Sequence, residues 1–227
     1  MRIFFPIILL LAATAANAQV NLAVLAGWNN NNIHRTDNYD GTGGNNGWQA
    51  GLHATYPVKH WFIYSGAQLD KKVFYINYYY PSGPAAYTYH PLYITVPLGA
   101  GYQFGLGKQL ALRLYAGVYG SVGVSGKLKI TSVMCGDFTA CPENLPGETV
   151  TKNIQYGKDI NNDIAKTAAG LQFGAGIKAW KNFELSLMYD AGLTNVFPAG
   201  HFYGNTKLML NTLALNAKFA LFTSGSK

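Results

Sequence analysis

The chain has 227 residues, of which 49% are hydrophobic and only 12% are charged, and its formal net charge is +7. A soluble domain usually carries about 25% charged residues, so this composition argues against a soluble exterior. The 26 glycines and 16 tyrosines fit long strands around a tightly filled interior.

The N-terminus has the pattern of a secretory signal peptide. A positive residue precedes an apolar run over 3–11, and Ala16 and Ala18 put small residues where a signal peptidase cleaves. The apolar run is shorter than the about 20 residues of a membrane-spanning helix. We expect removal of residues 1–18, with cleavage between Ala18 and Gln19. An exported chain of this kind is not expected to bind nucleic acid.

The mature sequence is dominated by alternation of apolar residues with glycine, tyrosine and polar residues. Strict period two indicates β-strands, because successive side chains of a strand point to opposite faces. A strand over 92–104 would extend about 40 Å, which suffices to cross an apolar band of about 25 Å when tilted. In chain order, the predicted strands cover 20–28, 47–56, 61–70, 92–104, 110–125, 167–179, 183–193 and 206–221.

The predicted connections alternate between long and short. The long ones are a loop over 29–46, a tyrosine-dense tip after residue 70, the segment 127–166 and a loop over 195–205. Bacterial outer-membrane barrels have this asymmetry, with short periplasmic turns and long external loops. The sequence therefore predicts an all-β fold, an eight-stranded antiparallel up-and-down transmembrane β-barrel, over residues 19–222. A short tail, 223–227, would follow, and the location would be the outer membrane of a Gram-negative bacterium.

Four motifs in a fixed order carry a family resemblance; they are Tyr93-Ile94-Thr95-Val96-Pro97-Leu98, Tyr115-Ala116-Gly117-Val118-Tyr119-Gly120, Gly170-Leu171-Gln172-Phe173-Gly174-Ala175-Gly176 and Tyr189-Asp190-Ala191-Gly192-Leu193-Thr194-Asn195. With them, residues 19 to about 219 resemble the PorT-like outer-membrane β-barrel domain family of Gram-negative bacteria. The resemblance implies a barrel of about eight strands, embedded in outer-membrane lipids and inserted by the outer-membrane assembly machinery through a terminal aromatic residue. Either Phe219 or Phe222 would be that residue. Most of the family has no assigned activity, and its namesake is linked to protein secretion, which implies a secretion or envelope partner.

Five charged residues are predicted to face the barrel interior; they are Arg113, Lys178, Glu184, Asp190 and Lys218. An eight-stranded barrel is wide enough only for side chains or one small ligand. Because a lone buried charge is costly, we interpret this lumen polar cluster as a plug of paired charges. A proton or ion path is the alternative.

Two features are predicted on the external side. Cys135 and Cys141 are the only cysteines, and in an oxidising compartment we expect them to form a disulfide that stiffens a loop. The second feature is a set of tyrosines in the tyrosine-dense tip that follows residue 70; they are Tyr78, Tyr79, Tyr80, Tyr87 and Tyr89. These form an external recognition surface, or they stack across a hairpin near the headgroup belt.

No catalytic, cofactor or metal motif stands out. The five histidines lack a metal-ligand spacing, no nucleophile motif is present, and His53 is interpreted as a hydrogen-bonding residue of the lumen. The sequence favours a non-enzymatic outer-membrane barrel with a structural or surface-binding role through its external loops. The alternatives are a component of a secretion or envelope-assembly complex, an outer-leaflet lipid-modifying enzyme, and a soluble periplasmic lipocalin-like carrier.

Overall fold

The structure, a computed structural model, describes residues 20–36, 41–80, 83–132, 148–180, 182–198 and 207–222. The predicted cleavage site at Ala18 and Gln19 and the predicted disulfide of Cys135 and Cys141 lie outside the described residues, so both stay predictions. No helix of the described part is long and apolar enough to span a membrane.

Eleven strands are numbered in chain order. They are β1 (Asn21–Arg35), β2 (Thr42–Val58), β3 (Trp61–Tyr80), β4 (Gly83–Gly105), β5 (Leu110–Ser132), β6 (Glu148–Asn153), β7 (Tyr156–Gly157), β8 (Ile164–Ala165), β9 (Thr167–Ala179), β10 (Phe183–Gly192) and β11 (Leu208–Phe222). The order β4-β3-β2-β1-β11-β10-β9-β5 closes on itself, because β4 also pairs with β5. These eight strands pair antiparallel throughout. The predicted eight-stranded up-and-down barrel is confirmed.

The two faces of the barrel wall divide as the alternation predicted. On β5, Val118 is 50% exposed whereas its neighbour Tyr119 is 4% exposed. Leucine and valine line the outside of every barrel strand in the same way, and tyrosine, glutamine and charged residues are buried inside. This direction is the reverse of a soluble carrier barrel, so the lipocalin-like alternative is wrong.

Asparagine-rich sequence forms strand where a loop was predicted. The prediction of a loop over 29–46 is wrong for most of that segment, since β1 continues to Arg35 and β2 begins at Thr42. Asparagine side chains form hydrogen bonds both between β1 and β2 and along β1, while the buried Asn29 Nδ2 atom has no partner among the described residues. The Asn30 Nδ2 atom donates to Asn46 Oδ1 at 2.9 Å, and the Asn31 Nδ2 atom donates to Asn29 Oδ1 at 3.0 Å.

Three strands, β3, β4 and β5, extend furthest on the side of the predicted long connections. β3 and β4 stay paired as far as Tyr80 and Gly83, and the end of β5 pairs with β6 over Lys127–Ser132. The prediction of a single connection over 127–166 is therefore wrong at both ends, because β5 and β6 occupy part of it. The opposite end of the barrel has the short turns after β2, β4 and β9, as predicted. On the other side the strands themselves extend, and only residues 81 and 82 separate β3 from β4, so the prediction of a long connection at the tyrosine-dense tip is wrong.

Candidate functional site

A buried ion cluster occupies the interior at the short-turn end. The Glu184 carboxylate on β10 accepts from Arg113 Nη1 at 2.9 Å and from Lys218 Nζ at 2.8 Å. The Tyr115 hydroxyl donates a short hydrogen bond to the same carboxylate, and Arg113 Nε donates to Gln103 Oε1 at 2.9 Å. Each charged group therefore has a partner, which is the condition for tolerating charge in a low-dielectric interior.

Strand register explains why these side chains meet. Glu184 lies directly opposite Lys218 on β11 and directly opposite Lys178 on β9. Lys178 is only partly buried, and it forms no ion pair with any residue that the structure describes. Of the five predicted cluster residues, the structure thus brings Arg113, Glu184 and Lys218 together and leaves Lys178 beside them.

An aromatic layer separates this cluster from the rest of the interior. Phe62, Tyr64, Tyr115 and Met188 pack together and are buried. The Arg113 guanidinium lies 4.8 Å from the centre of the Phe62 ring, a favourable cation–π contact. His53 stacks on Tyr64 with ring centres 5.4 Å apart, and it forms no hydrogen bond within the described part of the chain.

Asp190 belongs to a second polar cluster on the other side of the aromatic layer. It accepts from Gln172 Nε2 at 2.8 Å, and Gln172 Oε1 in turn accepts from the Tyr64 hydroxyl at 3.1 Å. Asp70 and Lys72 on β3 are buried in the same region, with Lys72 Nζ 5.3 Å from the centre of the Tyr119 ring.

Sequence reasoning missed Asp70 and Lys72 as interior charges. The signal was present, because Gln68, Asp70 and Lys72 continue the inward alternation of β3. The predicted strand ended at residue 70, so Lys72 fell in the tyrosine-dense tip and was not assigned to a face.

Above these clusters lies a region that we call the external extension, defined as the part of the barrel on the long-connection side of Trp48, Leu69, Ile94 and Val122. It is filled by a hydrophobic core; its members are Ile33, Phe74, Ile76, Tyr89, Leu128, Ile154, Ile164, Val196, Phe197, Leu208 and Leu210. Phe74 and Tyr89 stack with ring centres 5.0 Å apart. The extension is therefore packed protein and not a set of bare loops.

The tip tyrosines have different surroundings. Tyr89 is buried and points into the core of the external extension, where it is not available to an external ligand. Tyr78 and Tyr87 meet edge to face with ring centres 5.1 Å apart, and both remain partly exposed. The side chains of Tyr79 and Tyr80 lie outside the described part of the structure. These placements favour stacking across the hairpin for Tyr78, Tyr87 and Tyr89.

Little space remains in the described interior. Cavities of ≈ 10 Å³ beside Lys72 and Tyr119 and of ≈ 30 Å³ beside His53 and Lys218 are about the size that holds one water molecule. No group of three or more histidine, cysteine or acidic residues that could hold a metal ion occurs among the described residues.

The outer surface carries an apolar band with aromatic edges. Trp28 and Trp48 lie opposite each other and exposed on the long-connection side, and Trp61 and Trp180 are exposed at the short-turn side. Aromatic residues of this kind mark both membrane interfaces in barrels that span the outer membrane.

A closed antiparallel barrel with a lipid-facing apolar band, aromatic edges and a filled polar interior defines an integral outer-membrane β-barrel protein. The chain belongs to the outer membrane protein β-barrel domain family, whose model matches residues 14–198. It accordingly lies in the outer membrane of a Gram-negative bacterium.

Several solved barrels are similar in fold at low sequence identity. Ail, the attachment invasion locus protein of Yersinia pestis, in complex with the heparin analogue sucrose octasulfate, is 10% identical, with 89% of this chain and 99% of that chain covered and a TM-score of 0.43. Neisserial surface protein A is 12% identical, with 87% and 96% covered and a TM-score of 0.40. The N-terminal barrel of Pseudomonas aeruginosa OprF is 12% identical, with 88% and 98% covered and a TM-score of 0.29. No curated protein matches this chain.

Proposed function

We propose that the protein is a non-enzymatic outer-membrane anchor that holds the external extension rigidly above the membrane, where it has a structural or surface-binding role. The observation that carries this proposal is the continuous filling of the described interior. The Glu184 ion cluster, the aromatic layer, the Asp190 cluster and the hydrophobic core of the external extension follow one another along the barrel axis.

Such an interior is suited to rigidity and unsuited to transport. A diffusion pore needs a wide polar passage, which in outer-membrane barrels requires about 16 strands. Here the packed core instead supports the described parts of β3, β4 and β5 beyond the apolar band.

The test is reconstitution of the full mature chain into liposomes loaded with a small sugar and a fluorescent ion indicator. We expect solute efflux at the rate of protein-free liposomes, because the two interior cavities beside Tyr119 and Lys218 each hold about one water molecule. Efflux that rises in proportion to the protein content, with the barrel folded as judged by heat-modifiable gel mobility, would contradict the proposal.

The enzyme alternative has a direct test. His53 is buried beside the aromatic layer, and no described acid or hydroxyl is hydrogen-bonded to it, so it lacks the orienting partner that is typical of an activated nucleophile–base pair. We expect cells that carry His53→Ala to have the same outer-membrane lipid profile as cells with the wild-type chain. A lost or accumulated lipid species in the variant would favour the enzyme.

A narrower proposal is that the chain is a PorT-like subunit of a secretion or envelope assembly. Its support is the resemblance carried by the order and spacing of the four motifs named above. Purification in mild detergent tests it. Stoichiometric recovery of a periplasmic or inner-membrane protein would favour this role, and recovery of the barrel alone after chemical cross-linking would contradict it.

A further inference from the structure

Four basic side chains gather on the outer wall directly above the apolar band. Lys71 on β3, His90 on β4 and both Lys127 and Lys129 on β5 line one open recess of ≈ 570 Å³. His90 lies directly opposite Lys127, and Lys71 directly opposite Leu92. Adjacent strands are about 4.8 Å apart, so the four groups can reach a single ligand.

The height of this recess is fixed by its apolar neighbours. Trp48, which is exposed, lies opposite Lys71 and also lines the recess. Leu69, two residues before Lys71 on the same strand, is exposed in the apolar band. Two strand residues span about 7 Å, so the Lys71 ammonium lies at the level where lipid headgroups begin.

The recess has an unbalanced positive charge. None of the residues that line it is acidic, and none of its three lysines forms an ion pair with a described residue. Burial, Lys71 and Lys129 together lower the pKa of His90. Like charges placed side by side on neighbouring strands are destabilising, which a bound anion would relieve.

We propose that this recess binds the phosphorylated headgroup of an outer-leaflet glycolipid, with Lys71, Lys127 and Lys129 on the phosphate oxygens and Trp48 on the adjoining apolar part. Clusters of basic residues next to a membrane-spanning segment recognise anionic lipid headgroups through charge. Thr151 and Asn153 of β6 line the recess as well and offer polar groups to the sugar. The site lies on the outer wall, so it is independent of the proposed anchor function, which depends on the interior and on the core of the extension.

The experiment uses the full mature chain in neutral detergent micelles, titrated with bisphosphorylated lipid A and followed by native mass spectrometry. The test variant replaces Lys71, Lys127 and Lys129 by glutamine. The matched control replaces three exposed external lysines away from the recess, Lys158, Lys166 and Lys207, by glutamine. Both variants lose the same charge, and heat-modifiable gel mobility verifies that both fold.

We expect the wild-type chain and the control to bind alike and the test variant to bind at least about tenfold more weakly, since each lysine near the interface contributes to headgroup attraction. We also expect weak binding of fully dephosphorylated lipid A. Equal losses in both variants, or equal binding of the dephosphorylated lipid, would overturn the site. Full competition by inorganic phosphate would overturn the assignment to a lipid. None of these results affects the outcome of the liposome efflux experiment. The lipid site and the anchor function are therefore tested independently.

Discussion

At the scale of single residues, the Glu184 carboxylate is the most connected group of the interior. Its two cation partners, Arg113 and Lys218, are both buried. We expect Glu184→Gln to lower the free energy of unfolding by roughly 3–5 kcal/mol, because the substitution leaves two buried cations without their counter-charge. Urea titration of the protein in liposomes, followed by tryptophan fluorescence, measures the change.

A second ion pair serves as the control for that prediction. Lys152 and Asp163 lie 2.7 Å apart, but the lysine side chain is 47% exposed. Lys152→Gln should therefore cost no more than about 1 kcal/mol, as is usual for an exposed pair. If Glu184→Gln is as mild as Lys152→Gln, the interior cluster does not hold the strands together in the way described.

Two glycines of β5 make a sharper comparison. A Cβ atom on Gly117, which faces the interior, would lie 2.5 Å from the Leu98 carbonyl oxygen and 2.8 Å from the Tyr64 hydroxyl, whereas a Cβ atom on Gly120 would meet nothing within 4 Å. We expect Gly117→Ala to cost about 1–3 kcal/mol through overpacking. Gly120→Ala should leave the free energy of unfolding unchanged or raise it slightly, because alanine lowers the conformational entropy of the unfolded chain. The same urea titration distinguishes them, and equal effects would contradict the inward direction of Gly117.

The lipid site carries a pH dependence of its own. The lowered pKa of His90 keeps that imidazole neutral at pH 7, and a bound phosphate would favour its protonated form. Lysines 71, 127 and 129 are the charged groups that face it in the recess. Binding of bisphosphorylated lipid A should therefore tighten as the pH falls toward the lowered pKa of His90, and His90→Gln should abolish this gain. A gain that persists in the variant would place the titrating group elsewhere.

Alternation predicted which side of the wall each of these residues occupies, but not which residues meet. The inward direction of Arg113, Glu184 and Lys218 follows from period two alone. Their grouping depends on the register between β10 and β11 and on the distance across the barrel from β5. Neither can be predicted from the sequence of one strand. For the same reason, Asp190 and Glu184 were expected in one cluster, although Met188 lies between them on β10.

At the scale of elements, the external extension is the part that sequence patterns described least well. The asparagines from 29 to 32 look like a loop because asparagine disfavours strands. Their pairing with β2 and β11 supplies partners that a local reading cannot see, such as the Thr212 hydroxyl, which donates to Asn31 Oδ1 at 3.0 Å. The hydrophobic core was missed because its residues come from eight separate stretches between Ile33 and Leu210.

That core gives a prediction at the same scale. Phe74 is fully buried against Tyr89 and Phe197, so Phe74→Ala should destabilise the external extension by about 3–5 kcal/mol. The membrane part should remain closed, because the apolar band and the interior clusters do not involve Phe74. Limited proteolysis on intact cells should cut the variant within the extension while heat-modifiable mobility is preserved.

The control for this prediction is Phe173→Ala, which removes a lipid-facing ring on β9. Its extension should resist the protease as the wild type does. Loss of heat-modifiable mobility in Phe74→Ala would mean that the barrel and its extension unfold as one unit, contrary to the division described here.

At the scale of the whole molecule, the eight strands, their order and the end that has the short turns were all predictable. The physical reason is that a membrane barrel must satisfy every backbone group by closure and must alternate lipid-facing with interior residues. These constraints act on every strand, so they leave a repeated pattern in the sequence. The height of the extension, in contrast, is set by packing between distant segments and leaves only local and ambiguous traces.

The central claim is the direction of the wall, with leucine and valine in lipid and tyrosine, glycine and paired charges inside. Single spin labels placed along β5 from Leu114 to Val122, in the full chain reconstituted in bilayers with both cysteines replaced by serine, test it most directly. We expect collision with dissolved oxygen to be high at Leu114, Val118 and Val122 and low at Tyr119 and Ser121. The opposite phase, or equal accessibility at all positions, would contradict the structure described here.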